Sequence, residues 1–329
     1  MLLVMMLDSP MTFSWLRATF CALMARCLVE GASPTPDSGH WKFDLLGDRG
    51  LQKIQKLLAK PELAFLGSWR FNVSFLRDLN ARLVNSVAGR SDFALIDGFL
   101  DEDVARAVLR DTEVGLERGW SRALGTGPLN ATGLDLEAYR KASSPADRCK
   151  LLEKEERKLG FQFQFHVLDP RGHATPRAGD FPGHMSVLRG LSSKRWMQVL
   201  SLLLTGSGKR PANDDFEPPY FRDFTHGDYA LLHNDLGGKG RRVLCLNYWL
   251  PTPGWLAEWG GNFLWCGSGG SGQAARTVPV FNQASLFVPT QDSWHAVELV
   301  DAEHKDAKEH RFSFTSWLTL LPSKVDQEL

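Results

Sequence analysis

The feature that most constrains this chain is a histidine and an aspartate separated by one residue, His233 and Asp235. They close the stretch 227–235 (GDYALLHND), whose pattern predicts a strand. Because side chains alternate between the two faces of a strand, Tyr229, Leu231, His233 and Asp235 are expected to share one face. His233 and Asp235 can then bind a single metal ion from the same strand, and a further ligand must come from a different strand that lies alongside.

Two later segments supply the remaining side chains. The segment 293–300 (SWHAVELV) predicts a strand that carries His295, and the segment 311–320 (RFSFTSWLTL) predicts another with Arg311 and Ser313 on a common face. Two imidazoles and one carboxylate leave three positions open on a non-haem iron. Arginine presents a rigid fork of donors that matches a carboxylate. A dicarboxylate that chelates the metal at one end can therefore meet Arg311 at the other.

Longer motifs surround these residues in a fixed order. They are DFALIDGFL at 92–100, WMQVLSLLLTG at 196–206, HGDYALLHND at 226–235, GGNFL at 260–264 and R-x-S-x-x-x-W at 311–317. With these motifs, the segment from about Phe93 to Leu321 resembles the Fe(II)/2-oxoglutarate-dependent oxygenases of the prolyl 4-hydroxylase type. The similarity covers about two thirds of the chain.

The resemblance implies the fold class. It is mainly β with flanking helices (α+β), around a double-stranded β-helix, or jelly-roll, core. The sequence pattern supports this fold class, because from Tyr229 onward it predicts strand after strand with short turns, which is typical of such barrels. The chain is expected to divide into a disordered or targeting extension at 1–40, a helical region at 41–91 and the oxygenase domain at 92–322.

The resemblance also implies the ligands of the site. His233, Asp235 and His295 are expected to bind Fe(II), and Arg311 is expected to bind 2-oxoglutarate, with Ser313 on the same face. Many relatives carry a tyrosine that contacts the co-substrate, but Phe224 stands at roughly that place.

Two other tyrosines are candidates for this second contact with 2-oxoglutarate. Tyr248 resembles the family's tyrosine in a Tyr-Leu pair, and Tyr229 is expected on the face of His233. For both, packing in the core is an equal alternative.

The activity implied is that of an enzyme, a 2-oxoglutarate-dependent dioxygenase. The expected reaction is hydroxylation of a C–H bond, with a prolyl residue of a protein as the favoured substrate and with succinate and CO2 as co-products. Ascorbate is expected to keep the iron reduced. The alternatives are hydroxylation of a free amino acid or small molecule by the same chemistry, a non-catalytic cupin-like metal-binding module, and an interaction module that retains only the fold.

Composition and charge limit the classes of partner that this chain can bind. The formal net charge is zero and the isoelectric point is about 7.1, so electrostatic binding to nucleic acid is not expected. No uninterrupted apolar run approaches the roughly 18 residues of a membrane span. The partner is therefore a protein or small-molecule substrate, and the oligomeric state is left open.

The five cysteines are scattered, odd in number and without a C-x-x-C pair, which argues against disulfides and favours a reducing compartment. A cytoplasmic or nuclear location is favoured on this ground. The acid-poor, arginine-containing character of residues 1–30 also suits an organelle-targeting segment, a signal sequence or a loosely ordered extension.

Overall fold

The computed structural model describes residues 44–87, 92–119, 121–127, 134–168, 181–206, 214–236, 241–267, 274–301 and 310–320. The expected extension at 1–40 lies outside the described residues. Within them, no helix has the length and apolar character needed to cross a membrane.

The helices, numbered along the chain, are α1 Asp48–Leu58, α2 Val73–Val87, α3 Glu102–Glu117, α4 Leu136–Lys141, α5 Pro145–Leu159, α6 Pro182–Leu191 and α7 Lys194–Thr205. Short 3-10 turns occupy Pro61–Leu63, Ser68–Phe71 and Ala257–Trp259.

The strands are β1 Ala94–Asp97, β2 Ser121–Gly125, β3 Phe163–Leu168, β4 Asp214–Phe224, β5 Tyr229–His233, β6 Arg241–Pro251, β7 Phe263–Trp265, β8 Ala275–Thr277, β9 Gln283–Phe287, β10 His295–Val297 and β11 Arg311–Leu320. They pair antiparallel throughout, in the order β1-β9-β6-β11-β4-β3-β5-β10-β7-β8, with β2 on β3. This curled antiparallel sheet with flanking helices confirms the expected fold class, a jelly-roll core in an α+β arrangement.

The two faces of the sheet differ in chemistry. On β11, Phe312, Phe314 and Leu318 join a large apolar cluster with the helices, whereas Arg311 and Ser313 alternate with them and face the other way. We call the space on the Arg311 side the barrel interior.

The helical face is closed by α1, α2 and α7. Ser193 begins α7 by accepting a hydrogen bond from the Trp196 backbone N–H at 3.1 Å, and Gly206 ends it with φ +66°. Leu51, Ile54 and Leu58 of α1 are buried at helical spacing in the same cluster as α7. The 41–91 helices therefore share a core with the sheet, and the domain division stays a prediction.

The interpretation of the cysteines as unpaired was wrong. Cys149 on α5 and Cys266, directly after β7, form a disulfide across 117 residues. The sequence spacing gives no sign of it, because the packing of α5 on the sheet brings the two thiols together. Disulfides persist in oxidising compartments, so the argument for a reducing one loses its basis.

A buried carboxylate ties this outer helical layer to the sheet. Glu298, just after β10, accepts hydrogen bonds from Arg276 Nε at 2.7 Å, Asn262 Nδ2 at 2.8 Å and the Tyr139 hydroxyl at 3.2 Å. Arg148 of α5 donates to it as well. Only 2% of the Glu298 side chain is exposed, so its charge depends on these partners.

Replacement Glu298→Gln is expected to lower the free energy of unfolding by about 3–5 kcal/mol, because the buried carboxylate that pairs with two partly buried guanidiniums is lost. Urea unfolding followed by circular dichroism measures this. The matched control is Glu137→Gln, an exposed partner of Lys141, for which a loss below about 1 kcal/mol is expected. Equal losses in both variants would contradict the importance of the Glu298 network.

Candidate metal centre

The pairing of β5 with β10 builds the site. His233 and His295 are direct cross-strand partners, so their imidazole rings lie 4.2 Å apart between centroids. The Asp235 carboxylate reaches both, with 3.7 Å from Oδ1 to His233 Nε2 and 3.5 Å from Oδ2 to His295 Nε2. Each residue offers one ligand atom, and the three atoms lie within 4.8 Å of one another. We call these three side chains the triad.

Backbone carbonyls orient both imidazoles. His233 Nδ1 lies 2.8 Å from the carbonyl oxygen of Leu231, and His295 Nδ1 lies 2.8 Å from that of Ser293. A carbonyl can only accept a hydrogen bond, so Nδ1 carries a proton in each ring, and a neutral ring with this proton has its lone pair on Nε2. Such outer contacts are how metal-binding histidines are held in one tautomer.

Asp235 sits just beyond the end of β5 in a bend with φ +60°, a conformation that aspartate tolerates better than most residues. Its carboxylate accepts a hydrogen bond from Cys245 Sγ at 3.3 Å and lies 3.7 Å from Arg242 Nη1. Ser293 Oγ donates to the Asn234 carbonyl at 2.9 Å and so joins this bend to β10. The ligand geometry is therefore held by the folded chain itself.

The charges of the triad suit a cation. Burial is the main cause that lowers the pKa of His233 to about 3, and repulsion from His295 and Arg222 adds to it. Burial opposes ionisation of Asp235, but the hydrogen bond with His295 and the charges of His233 and Arg242 hold its pKa well below the usual range. The set is a neutral imidazole beside an anionic carboxylate, the states in which these groups ligate metals.

Aromatic rings surround the two imidazoles of the triad. Phe161 lies 4.4 Å from the His233 ring, and Phe287, Phe263 and Trp265 lie 4.9, 5.5 and 6.0 Å from the His295 ring between centroids. An apolar shell of this kind limits the access of solvent to a metal site.

Arg311 is buried in the barrel interior and 1% exposed. Its Nε and Nη2 find no hydrogen-bond partner among the described residues, and its guanidinium lies 4.8 Å over the Phe224 ring. Burial, with repulsion from Arg222, lowers the pKa of Arg311 to about 9, so it remains charged at neutral pH. A buried cation with unused donors is costly unless an anion meets it.

Gly261 makes room for this side chain. A Cβ at Gly261 would lie 2.7 Å from Arg311 Cδ, and the residue also has φ +63°. Together, the triad and Arg311 fit a dicarboxylate that chelates a metal at one end and meets the guanidinium at the other.

The tyrosines expected from the sequence are not brought to the triad. Tyr229 donates to the Gly127 carbonyl at 2.7 Å and packs with Tyr139 and Cys149 beneath the outer helices. The reason is an extra residue in β5, since Val297 pairs with Ala230 but His295 pairs with His233. The alternation that was expected to place Tyr229 with His233 is thereby broken.

Tyr248 lies on the helical face of β6. Its hydroxyl donates to Asn282 Oδ1 at 3.1 Å, and its ring packs on Phe314 and Phe99. Ser313, by contrast, is buried on the interior face, opposite Arg222 of β4 and Trp249 of β6. Of the expected contacts, the structure brings the triad, Arg311 and Ser313 to the interior and leaves both tyrosines outside it.

Sequence reasoning missed three side chains near the triad, namely Cys245, Arg242 and Arg222. The first two contact Asp235, and Arg222 acts on His233 through its charge. The alternation of side chains along the strands is the signal that could have found Cys245 and Arg222. Cys245 pairs with Trp317 and Arg222 pairs with Ser313, and these two partners lie on the Arg311 face of β11.

A second polar contact holds the turn that precedes β5. Asp228 is fully buried and accepts hydrogen bonds from the Thr225 backbone N–H at 2.8 Å and from His166 Nδ1 at 3.0 Å. The hydrogen bond to Asp228 is the largest cause that raises the pKa of His166.

Because the pKa of His166 is raised in the folded state, its charged form stabilises the fold fully below the unfolded-state value near 6.5 and loses that effect as pH rises through the folded-state pKa. His166→Gln should therefore lower the free energy of unfolding by about 1.5–3 kcal/mol near pH 5.5 and by less at pH 8.5. Urea titrations at the two pH values measure the difference. His226→Gln, on the exposed part of the same turn, is the control, and a pH-independent loss in His166→Gln would refute the assignment.

Comparison with known proteins agrees with the sequence motifs. Residues 220–319 match the family model of the 2OG-Fe(II) oxygenase superfamily. This match confirms, at the level of the superfamily, the resemblance seen in the sequence. The sequence matches no curated protein.

Several solved structures are similar in part. A prolyl hydroxylase from Trichoplax adhaerens, in complex with a peptide fragment of the hypoxia inducible factor oxygen degradation domain, is 17% identical with a TM-score of 0.43, over 78% of this chain and 94% of that one. A prolyl-4-hydroxylase from Pseudomonas putida is 16% identical with a TM-score of 0.40, over 74% and 98%. A 2OG-Fe(II) oxygenase family oxidoreductase from Burkholderia pseudomallei is 13% identical with a TM-score of 0.43, over 74% and 90%.

Proposed function

From the match of residues 220–319 to the 2OG-Fe(II) oxygenase superfamily, we propose that this chain is an Fe(II)- and 2-oxoglutarate-dependent dioxygenase that hydroxylates a C–H bond. The observation that carries the proposal is the triad, on the same side of the curled sheet as a buried arginine whose Nε and Nη2 have no hydrogen-bond partner among the described residues. The triad alone suits many metal proteins. The addition of Arg311 favours a site for a metal together with an anion.

Each residue has a role in this proposal. His233, Asp235 and His295 hold Fe(II) and leave three positions open. Arg311 holds the distal carboxylate of 2-oxoglutarate, and Ser313 lies beside it on β11. Bound iron and 2-oxoglutarate supply the activation of dioxygen, with succinate and CO2 as co-products. The rings around His295 and His233 keep bulk water from the reacting centre.

The substrate class is proposed from the motifs of the sequence. Their likeness to the prolyl 4-hydroxylase type supports a prolyl residue in a protein as substrate. Hydroxylation of a free amino acid or small molecule uses the same site and remains the second candidate. A cupin-like module without a co-substrate would not require a buried arginine with unused donors. Ascorbate as reductant stays a prediction.

Removal of the anionic ligand tests the metal site. When Fe(II) and 2-oxoglutarate are added together without oxygen, the wild-type protein should show the weak visible charge-transfer band of the metal chelate. Asp235→Ala should lose this band and all 2-oxoglutarate turnover, because two neutral imidazoles hold the metal poorly. Asp292→Ala, an aspartate after β9, serves as the control. A folded wild-type protein that binds iron without giving the band would contradict the proposal.

Loss of the guanidinium tests the co-substrate site. Arg311→Ala should raise the 2-oxoglutarate concentration needed for half-maximal turnover by about 10- to 100-fold, since hydrogen bonds to a charged group are lost. Iron affinity should change little, because Arg311 is not a ligand. The comparison variant is Arg106→Ala on the exposed surface of α3. An unchanged requirement in Arg311→Ala would place the anchor of the co-substrate elsewhere.

A further inference from the structure

A second arginine lies on the interior face beside Arg311. Arg222 of β4 is the cross-strand partner of Ser313, and Phe224, two residues on, is the partner of Arg311. The two arginines are therefore diagonal neighbours on paired strands, with their Cα atoms about 7–8 Å apart. Both side chains project from the same face of the sheet.

Aromatic rings hold the Arg222 guanidinium in place. It lies 4.8 Å over the Phe165 ring and 6.0 Å from the Trp317 ring. Trp317 also stacks Arg242 at 3.8 Å, and Arg242 approaches the Asp235 carboxylate. Arg222 thus lies on the side of Arg311 that leads along β11 toward Trp317 and the triad.

Burial, and then repulsion from Arg222, lowers the pKa of Arg311, which agrees with the positions of the two arginines as diagonal neighbours. Arg222, Arg242 and Arg311 bring three positively charged side chains to this region, and Arg242 lies 3.7 Å from the Asp235 carboxylate. A bound divalent metal would add positive charge, which favours binding of anions.

We propose that Arg222 is a second carboxylate-binding residue, which holds the carboxylate of a 2-oxo acid at the metal end of the cavity while Arg311 holds the distal carboxylate. This inference rests on the proposed function. Each arginine then binds a different end of the same ligand. A carboxylate of the primary substrate is the competing occupant, and the experiment separates the two.

Two ligands distinguish the roles of the arginines. 2-Oxoglutarate carries a carboxylate at both ends, whereas 2-oxopentanoate has the same number of carbons and lacks the distal one. The dissociation constant of each is measured by calorimetry with protein loaded with Mn(II), which needs no turnover. The variants are Arg222→Gln, Arg222→Lys, Arg311→Gln and the exposed control Arg106→Gln.

The expected pattern has three parts. Arg222→Gln weakens both ligands by about tenfold or more, because both keep the carboxylate next to the keto group. Arg311→Gln weakens 2-oxoglutarate and leaves 2-oxopentanoate nearly unchanged. Arg222→Lys retains part of the affinity through its charge, and Arg106→Gln binds both ligands as the wild type does.

Other results overturn the inference. If Arg222→Gln binds both ligands normally, Arg222 serves the primary substrate or packing alone. If it weakens only 2-oxoglutarate, Arg222 joins Arg311 at the distal carboxylate. If the wild-type protein binds no 2-oxoglutarate, the proposed function fails as well, an outcome distinct from a defect confined to the variants. Near-ultraviolet circular dichroism identifies a variant that fails to fold, and Arg222→Lys then provides the test.

Discussion

The candidate site depends on the antiparallel pairing of β5 with β10. That pairing sets His233 directly opposite His295 and leaves the chain at the end of β5 to turn Asp235 back toward both rings. Three ligands from two segments about sixty residues apart meet because these two strands pair, and not because either segment is ordered by itself. The irregularity in β5 is part of this arrangement, since the extra residue places both Ala230 and His233 on the interior side of the strand.

The interior of the barrel combines low polarity with positive charge, two properties that usually exclude each other. Burial of Arg311 costs free energy when Nε and Nη2 have no hydrogen-bond partner in the part of the chain that the structure describes. An anion that enters recovers this cost, and the aromatic rings that line the space make the recovered interaction stronger than it would be in water. A preference for anionic over neutral ligands follows from the same balance, because a neutral ligand leaves the guanidinium without a counter-ion.

Much of this could be predicted from the sequence, and the limits have physical causes. The strands around His295 and at 311–320 follow from alternation. An aspartate in front of a helix is a typical N-cap, and Asp101 begins α3 by accepting a hydrogen bond from the Asp103 backbone N–H. The position of Tyr248 was also within reach, since Leu244, Leu246, Tyr248 and Leu250 alternate as one apolar face. The position of Tyr229 was not, because a bulge changes the phase of a strand without leaving a mark in its composition. The pairing of Cys149 with Cys266 depends on how α5 packs against the sheet, and no local pattern encodes that contact.

The outer layer makes the geometry of the interior less dependent on β10 alone, a strand of three residues. The Cys266 backbone N–H donates to the Trp294 carbonyl at 2.8 Å, and Cys266 itself is linked covalently to α5. Glu298, three residues beyond His295, is held by Arg148 from the same helix. The two links lie on either side of His295, so a displacement of α5 would shift both ends of the strand that carries this ligand. Short strands fray readily when they are paired only by their backbones, and a ligand on one of them needs such support to stay within bonding distance of a metal. The covalent and ionic links to α5 supply that support from outside the barrel, where they take no space from the ligands within.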